Sequence, residues 1–327
     1  MHPPNPQSSL CPAAALMAGL LGVFAIAPVE AGTMKHAGYD DIHQLLAQAD
    51  PFESVGQISG TTTTSSYNGS GVYLGDGWVL TAAHVVDQAS ELDFELDGQT
   101  YTAEAWAYHS NWNPSDVAAG ADIALIKLTE DVGTGIDGAT LYTGTDEVGS
   151  LGISVGYGLT GTGLTGYDTQ SSLDKRAGTN VVDEVYGDDV LLSDFDSGYS
   201  IHNSTGSSDA TILEYLIAPG DSGGGLFIYD EPSNDWSPAG INSLGLGLDG
   251  EADSDFSDIS GQTRVSSYDD WITDVMAQDL TQSSATLNSL YSEAVFTVVP
   301  EPTAASLVAL LALACLARRD AESSGCV

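Results

Sequence analysis

At 327 residues the chain is long enough to bury one large or two small cores, and 42% hydrophobic against 16% charged residues excludes global disorder. The formal net charge of −39, from 46 acidic and 7 basic side chains, excludes nucleic acid and anionic lipid as electrostatic partners and suits solubility in a salty or extracellular setting. The 37 glycines and the short runs rich in β-branched residues predict an all-β body with little helix.

The apolar stretch from Pro12 to Pro28, followed by Val29-Glu30-Ala31-Gly32, is too short for a comfortable membrane span and reads as a secretory signal over residues 1–31. Only His2 stands where a positive leader is usual. Cys11 precedes the apolar run, the wrong side for a lipid-modified cysteine after signal cleavage. With Cys315 and Cys326 near the other end, the central body is left without an internal disulfide. Residues 32–56 form an N-terminal extension or propeptide, with a short helix around Ile42-His43-Gln44-Leu45-Leu46 and a break at Asp50-Pro51.

Val55 to Gly60 opens the β region, and the Thr/Ser run at 61–66 is a loop. Gly71-Val72-Tyr73-Leu74, Gly75-Asp76-Gly77 and Trp78-Val79-Leu80-Thr81 spell a β-hairpin whose second strand delivers Thr81-Ala82-Ala83-His84. The small residues before His84 leave room for an imidazole packed on one side and open on the other. Asp122 heads the apolar segment Ile123-Ala124-Leu125-Ile126, where a carboxylate is costly without a partner; a histidine is a suitable one. Asp116, the rival carboxylate, sits in a loop after Asn113-Pro114.

Further strands are predicted at Ile153 to Gly158, Val181-Val182 and Val190 to Leu192. Gly220-Asp221-Ser222-Gly223-Gly224-Gly225 is a tight loop presenting a serine ahead of the buried run Leu226-Phe227-Ile228-Tyr229. A serine hydroxyl is a poor nucleophile without a base and an orienting carboxylate, and His84 and Asp122 are the candidates. Ala239 to Gly245 is a strand, and an acidic loop runs from Leu248 to Ser260. There Asp249, Glu251, Asp253 and Asp255 alternate in a way that could favour calcium. The glycine and distal glutamate of an EF-hand loop are out of place, so a solvated acidic loop is the preferred reading. Ser267 to Ala277 is an amphipathic helix capped by Ser266 or Ser267, and 280–298 reads as a polar linker. Val299-Pro300-Glu301-Pro302, the apolar run Ala304–Ala317 and Arg318-Arg319 fill 299–320, leaving a tail at 321–327.

The motifs at His84, Asp122 and Ser222, in that order, together resemble the trypsin/chymotrypsin-like serine proteases. Val155-Gly156-Tyr157-Gly158, Ser243-Leu244-Gly245, and Thr263-Arg264-Val265 through Trp271-Ile272 extend the likeness over residues 57–279. The resemblance implies two six-stranded antiparallel β-barrels with a C-terminal helix. It also implies a serine-type endopeptidase acting on polypeptides without a cofactor: His84 as base, Asp122 as its orienter, Ser222 as nucleophile, and the N–H groups of Gly220 and Ser222 as the oxyanion hole. Ser243, Leu244 and Gly245 would pair with substrate. Leu216, six residues before the nucleophile, would floor the specificity pocket; an apolar floor cannot pair Lys or Arg, so an apolar or small residue before the scissile bond is expected.

The resemblance implies that Asp221 is the structural aspartate that would pair with a newly cut N-terminus, yet no basic residue precedes an Ile-Val-Gly-Gly-like start here. Either processing falls near residues 54–58, or Asp221 is satisfied another way. The rival class is a catalytically inactive protease-fold binding module at the cell surface, and esterase activity on small acyl substrates is a nearer alternative. Segment 299–320 resembles a PEP-CTERM sorting signal with a short transmembrane helix. That implies export in a Gram-negative bacterium, membrane attachment before processing, and recognition by an exosortase-type enzyme near Pro300-Glu301-Pro302.

Overall fold

Apolar side chains at every second position build the first of two barrels. A computed structural model describes residues 32–300 apart from 134; the predicted signal, the sequence from residue 301 onward and all three cysteines lie outside the described residues. Strand β1 (Thr33–Met34) and helix α1 (Asp40–Leu46) form an N-terminal strap. The first barrel follows: β2 (Val55–Thr61), β3 (Ser66–Gly75), β4 (Trp78–Thr81), the one-turn helix α2 (Ala83–Val86), β5 (Glu91–Leu96), β6 (Gln99–His109) and β7 (Ala124–Leu128). In β5, Leu92, Phe94 and Leu96 point inward while their neighbours face out. The hydrogen-bonded order β6-β5-β2-β3-β4-β7 closes into a barrel when β7 pairs back onto β6.

The second barrel comprises β8 (Leu151–Gly156), β11 (Arg176–Val181), β12 (Glu184–Tyr186), β13 (Val190–Asp194), β15 (Gly225–Asp230), β16 (Asp235–Leu246) and β17 (Ile259–Arg264). Its order is β11-β8-β15-β16-β17-β13-β12, and the Asn180 side chain on β11 donates to the carbonyl of Asp194 on β13 at 2.7 Å, drawing the ends together. The expected pair of barrels is therefore present, with the short β12 as a seventh strand on the second. Glu147, fully buried between the barrels, grips Arg264 through two hydrogen bonds of 2.8 and 2.7 Å.

A small third sheet, in the order β10-β9-β1-β14, is made with β9 (Thr160–Thr162), β10 (Gly166–Asp168) and β14 (Tyr215–Leu216). Here β1 runs parallel to β9 and antiparallel to β14, so the strap is built into the second barrel's rim.

Two expectations need correction. Residues 280–298 are not a linker: helix α4 (Ser284–Leu290) and strand β18 (Ala294–Val298) occupy them. β18 pairs with β6 and buries Ala294 and Phe296, so two apolar anchors in a five-residue strand outweigh the polar composition around them. The C-terminal helix, α3, spans Asp269–Met276 and is amphipathic, with Trp271, Ile272 and Val275 buried. Its cap is Tyr268, without a side-chain capping bond, because the chain reaches the helix through a 3-10 turn at Val265–Ser267. Among the described residues, no helix is long and apolar enough to cross a membrane.

Candidate active site

His84 rides on α2, the single turn that follows β4, with Ala82 and Ala83 fully buried beneath it. Asp122 enters just before β7, after Gly120 and Ala121 at φ +81° and +61° swing the chain inward. Its carboxylate is wholly buried and fully used. Oδ1 accepts from the His84 backbone N–H at 2.9 Å, and Oδ2 accepts from His84 Nδ1 at 2.7 Å and from the Ser243 hydroxyl at 2.5 Å. Thr263 Oγ1 donates to the Asp122 carbonyl at 2.9 Å. Asp116, the rival, is exposed on a loop.

Contact with Asp122 assigns the imidazole proton to Nδ1 and leaves Nε2 as the acceptor. Burial lowers the His84 pKa, but the charge and hydrogen bond of Asp122 outweigh it and hold the pKa above the ordinary 6.5. Trp112 lies beside the ring, 6.2 Å between centroids, and donates from Nε1 to Asp87 at 3.0 Å. Burial raises the pKa of Asp87.

The second barrel contributes the serine loop. Gly220 and Gly223 adopt φ of +103° and +83°, values that side chains resist and glycine tolerates. Within the loop, Gly224 N–H donates to Asp221 O at 2.7 Å; Gly223 N–H donates to Asn242 O and Asn242 N–H to Gly224 O, each at 2.8 Å, which ties the loop to the middle of β16. Ser70 on β3, fully buried, ties this loop to the first barrel: its N–H donates to Ser222 O at 2.8 Å and its hydroxyl to Gly220 O at 2.7 Å. A Cβ on Gly223 would meet Thr81 Oγ1 at 2.0 Å, so the loop abuts the stretch leading into His84. The serine loop is thus fixed by main-chain bonds from both barrels, next to the stretch that leads into His84.

Asp221 is completely buried. Its Oδ2 accepts from the Tyr215 hydroxyl at 3.2 Å and from Ala218 N–H at 3.4 Å. Burial pushes its pKa up to about 7, against the lowering effect of Ala218, Tyr215 and Arg176. Of the expected substrate-contacting residues, Leu244 lies beside the histidine, in an apolar cluster with Ala83, Trp112 and Val117. Ser243 faces Asp122, Gly245 is half-buried on β16, and Leu216 is buried on β14. The acidic loop does touch the pocket segment, through Ser254 Oγ donating to Ile217 O at 2.9 Å. In it Asp253 and Asp255 converge with Asp258, their oxygens within 4.8 Å of one another, whereas Asp249 and Glu251 stay exposed outside that group.

Ser70, Trp112 and Tyr215 were not signalled by any local motif. Each gains its place through a partner distant in sequence, and only the glycines flanking Ser70 hint at close backbone packing.

Two β-barrels, a histidine–carboxylate pair on the first and a glycine-flanked serine loop on the second, define the chymotrypsin-like class of fold. Residues 47–272 match the trypsin family, and the chain belongs to that family. A 72-residue stretch is 35% identical to chymotrypsin-like elastase family member 1 of Canis lupus familiaris, spanning 19% of this chain and 28% of that protein's length. The fold is similar to that of HL collagenase, with a TM-score of 0.53 at 19% identity over 70% of this chain and 95% of that one. Neuropsin, a serine protease expressed in the limbic system of mouse brain, gives 0.51 at 20% identity over 70% and 96%.

Proposed function

We propose that this protein is an exported serine endopeptidase using Ser222, His84 and Asp122 for acyl transfer. The observation that carries the reading is the His84–Asp122 pair: a 2.7 Å bond to a carboxylate with no exposure, which leaves Nε2 free to act as a base. Nε2 takes the Ser222 proton as Oγ attacks the scissile carbonyl, and the imidazolium returns that proton to the leaving amine. Water then repeats the sequence on the acyl-enzyme. The N–H groups of Gly220 and Ser222 serve the developing oxyanion; losing one such donor costs about 10² to 10³ in turnover.

Leu216 offers no charge to a lysine or arginine, so an apolar or small residue before the scissile bond is the proposed preference. The sequence at 1–31 and 299–320 supports export, with the tail handled by an exosortase-type enzyme and the mature protein placed at the cell envelope or outside it. The test is labelling by a fluorophosphonate and cleavage of peptides varied only at that residue, for wild type and Ser222→Ala. Labelling and cleavage by wild type alone are expected. Equal inertness of both proteins would favour a binding module instead, and strict Arg/Lys preference would refute the pocket assignment.

A further inference from the structure

Besides the bonds from Ser70 and Asn242, the loop that carries Ser222 contains one buried carboxylate, and the residue that holds it packs on the strap. Asp221 is held by the Tyr215 hydroxyl. Tyr215 is held in turn by three strap elements. His43 of α1, fully buried with Nδ1 on the Ala177 carbonyl at 2.8 Å, stacks on the phenol ring at 5.7 Å and 30°. Strand β1 pairs Met34 with Tyr215 and Thr33 with Leu216, and Lys35 N–H extends the seam to Glu214 O at 3.0 Å. Gly32 lies directly against the phenol, where a Cβ would come within 2.0 Å of the hydroxyl; only glycine permits that approach.

The strap is also latched. Asp40 of α1 receives Nε of the buried Arg176 at 2.6 Å, and Thr33 Oγ1 donates to the Ser254 carbonyl at 2.5 Å. By contrast, residues 54–58 are sealed in the first barrel: β2 pairs on both edges, with β3 and β5, and Ser54 O accepts from Tyr73 N–H at 2.8 Å. A cut there would open the barrel and discard the groups that hold Tyr215.

We propose that residues 32–46 are a permanent positioning element of the active enzyme, presetting the serine loop through Tyr215 and Asp221 with no activating cleavage near residues 54–58. Asp221 is thereby held at Oδ2 by a phenol from within the chain, with Oδ1 buried and unpartnered, and the strap is neither a leader nor a removable propeptide. Tyr215 is a positioning residue: it touches no substrate and acts on the Gly220 and Ser222 donors through the carboxylate between them.

This rests on the acyl-transfer reading, and the experiment separates the two. The secreted full-length product is labelled with a fluorophosphonate, and the mass and N-terminal sequence of the labelled species are read. A labelled protein that retains residues 32–46 is expected; a labelled species starting beyond Leu46 would overturn the proposal while leaving the protease reading intact. Failure of wild type to label would instead sink the acyl-transfer reading and, with it, this proposal.

Tyr215→Phe, which keeps the ring and removes only the hydroxyl, is expected to lower kcat and the labelling rate about tenfold to a hundredfold with KM within about twofold, short of the loss of a whole oxyanion donor. Unchanged kcat and labelling in a variant that melts like wild type would count decisively against it. Should Tyr215→Phe fail to fold, Asp40→Ala takes its place: release of the latch is expected to slow labelling at least threefold, and an unchanged rate overturns the role given to the strap.

Discussion

Replacing Asp122 with asparagine keeps the shape of the buried side chain and removes its charge. The His84 backbone N–H can only donate, so the new amide oxygen settles at the Oδ1 position, 2.9 Å from that nitrogen. The NH2 group then faces His84 Nδ1 and the Ser243 hydroxyl, where the carboxylate had accepted from both. Ser243 adapts by rotating its hydroxyl from donor to acceptor. The imidazole adapts only by moving its proton to Nε2, the atom that must receive the Ser222 proton. Loss of the correct tautomer costs about 10⁴ in kcat, or about 5.5 kcal/mol at about 1.4 kcal/mol per tenfold, while the fold loses little.

The pH profile moves as well. Asp122 is what lifts the His84 pKa against burial, so the acid limb of the remaining activity shifts to lower pH once the charge is gone. The assay is kcat on a peptide with an apolar residue before the scissile bond, from about pH 5 to about pH 10, beside a thermal melt. An Asp122→Asn protein that melts with wild type and keeps kcat within about tenfold would refute the assignment.

Ser70→Ala leaves the buried Gly220 carbonyl without its hydroxyl donor and is expected to reduce kcat about tenfold and stability by about 1 kcal/mol; an unchanged kcat would remove Ser70 from the loop's support. Asp183 is pushed up to about 8, and Asp196, Glu214, Asp221 and Asp258 to about 7, in each case chiefly by burial. Carboxylates raised in this way contribute stability below about pH 4, their unfolded value, and lose it as pH rises through 7 to 8. The melting temperature is therefore expected to fall between about pH 5 and about pH 8, and an equal or higher value at pH 8 would contradict the burial argument. Exhaustive EDTA treatment is expected to leave kcat unchanged, because proton transfer between Ser222 and His84 uses no ion. Activity lost to EDTA and restored by calcium would instead give the Asp253, Asp255 and Asp258 group a role in holding the pocket loop.

What could be read from the sequence was what is encoded locally. The hairpin of β3 and β4 carries its turn in Gly75-Asp76-Gly77, and Asp76 and Gly77 do adopt left-handed φ of 50° and 72°. The buried run of β15 from Leu226 to Ile228 and the apolar face of α3 need no distant partner to be seen, although Tyr229, read as part of that run, is exposed. His84 and Asp122 were legible as a pair because each sits in a setting that only the other explains: small residues around a histidine, and a carboxylate at the head of an apolar segment. Ser70 was not. The two bonds that tie it to the serine loop reach residues 150 and 152 positions away, and beyond its flanking glycines nothing in its own strand distinguishes a hydroxyl that holds a loop from one that merely fits. β18 was missed for a related reason: Ala294 and Phe296 make too short an alternation to outweigh the serines and threonines around them, and the strand exists because the free edge of β6 is there to receive it.

The two ends of the folded body share a physical task. Residues 32–300 contain no cysteine, so no covalent bond closes either barrel, and unpaired strand edges would otherwise lie next to elements that support the site. β1 covers the edges of β9 and β14, six residues before Ser222. At the other end, β18 covers β6, which pairs with the β7 strand that follows Asp122, and Trp271 of α3 donates to Glu293 O at 2.9 Å to hold that strand's approach. Each terminal segment thus stands behind the barrel element that presents one half of the site. Backbone pairing gives this support over a few residues with hardly any side-chain signature, which is why segments that look dispensable in sequence occupy structural positions in the fold.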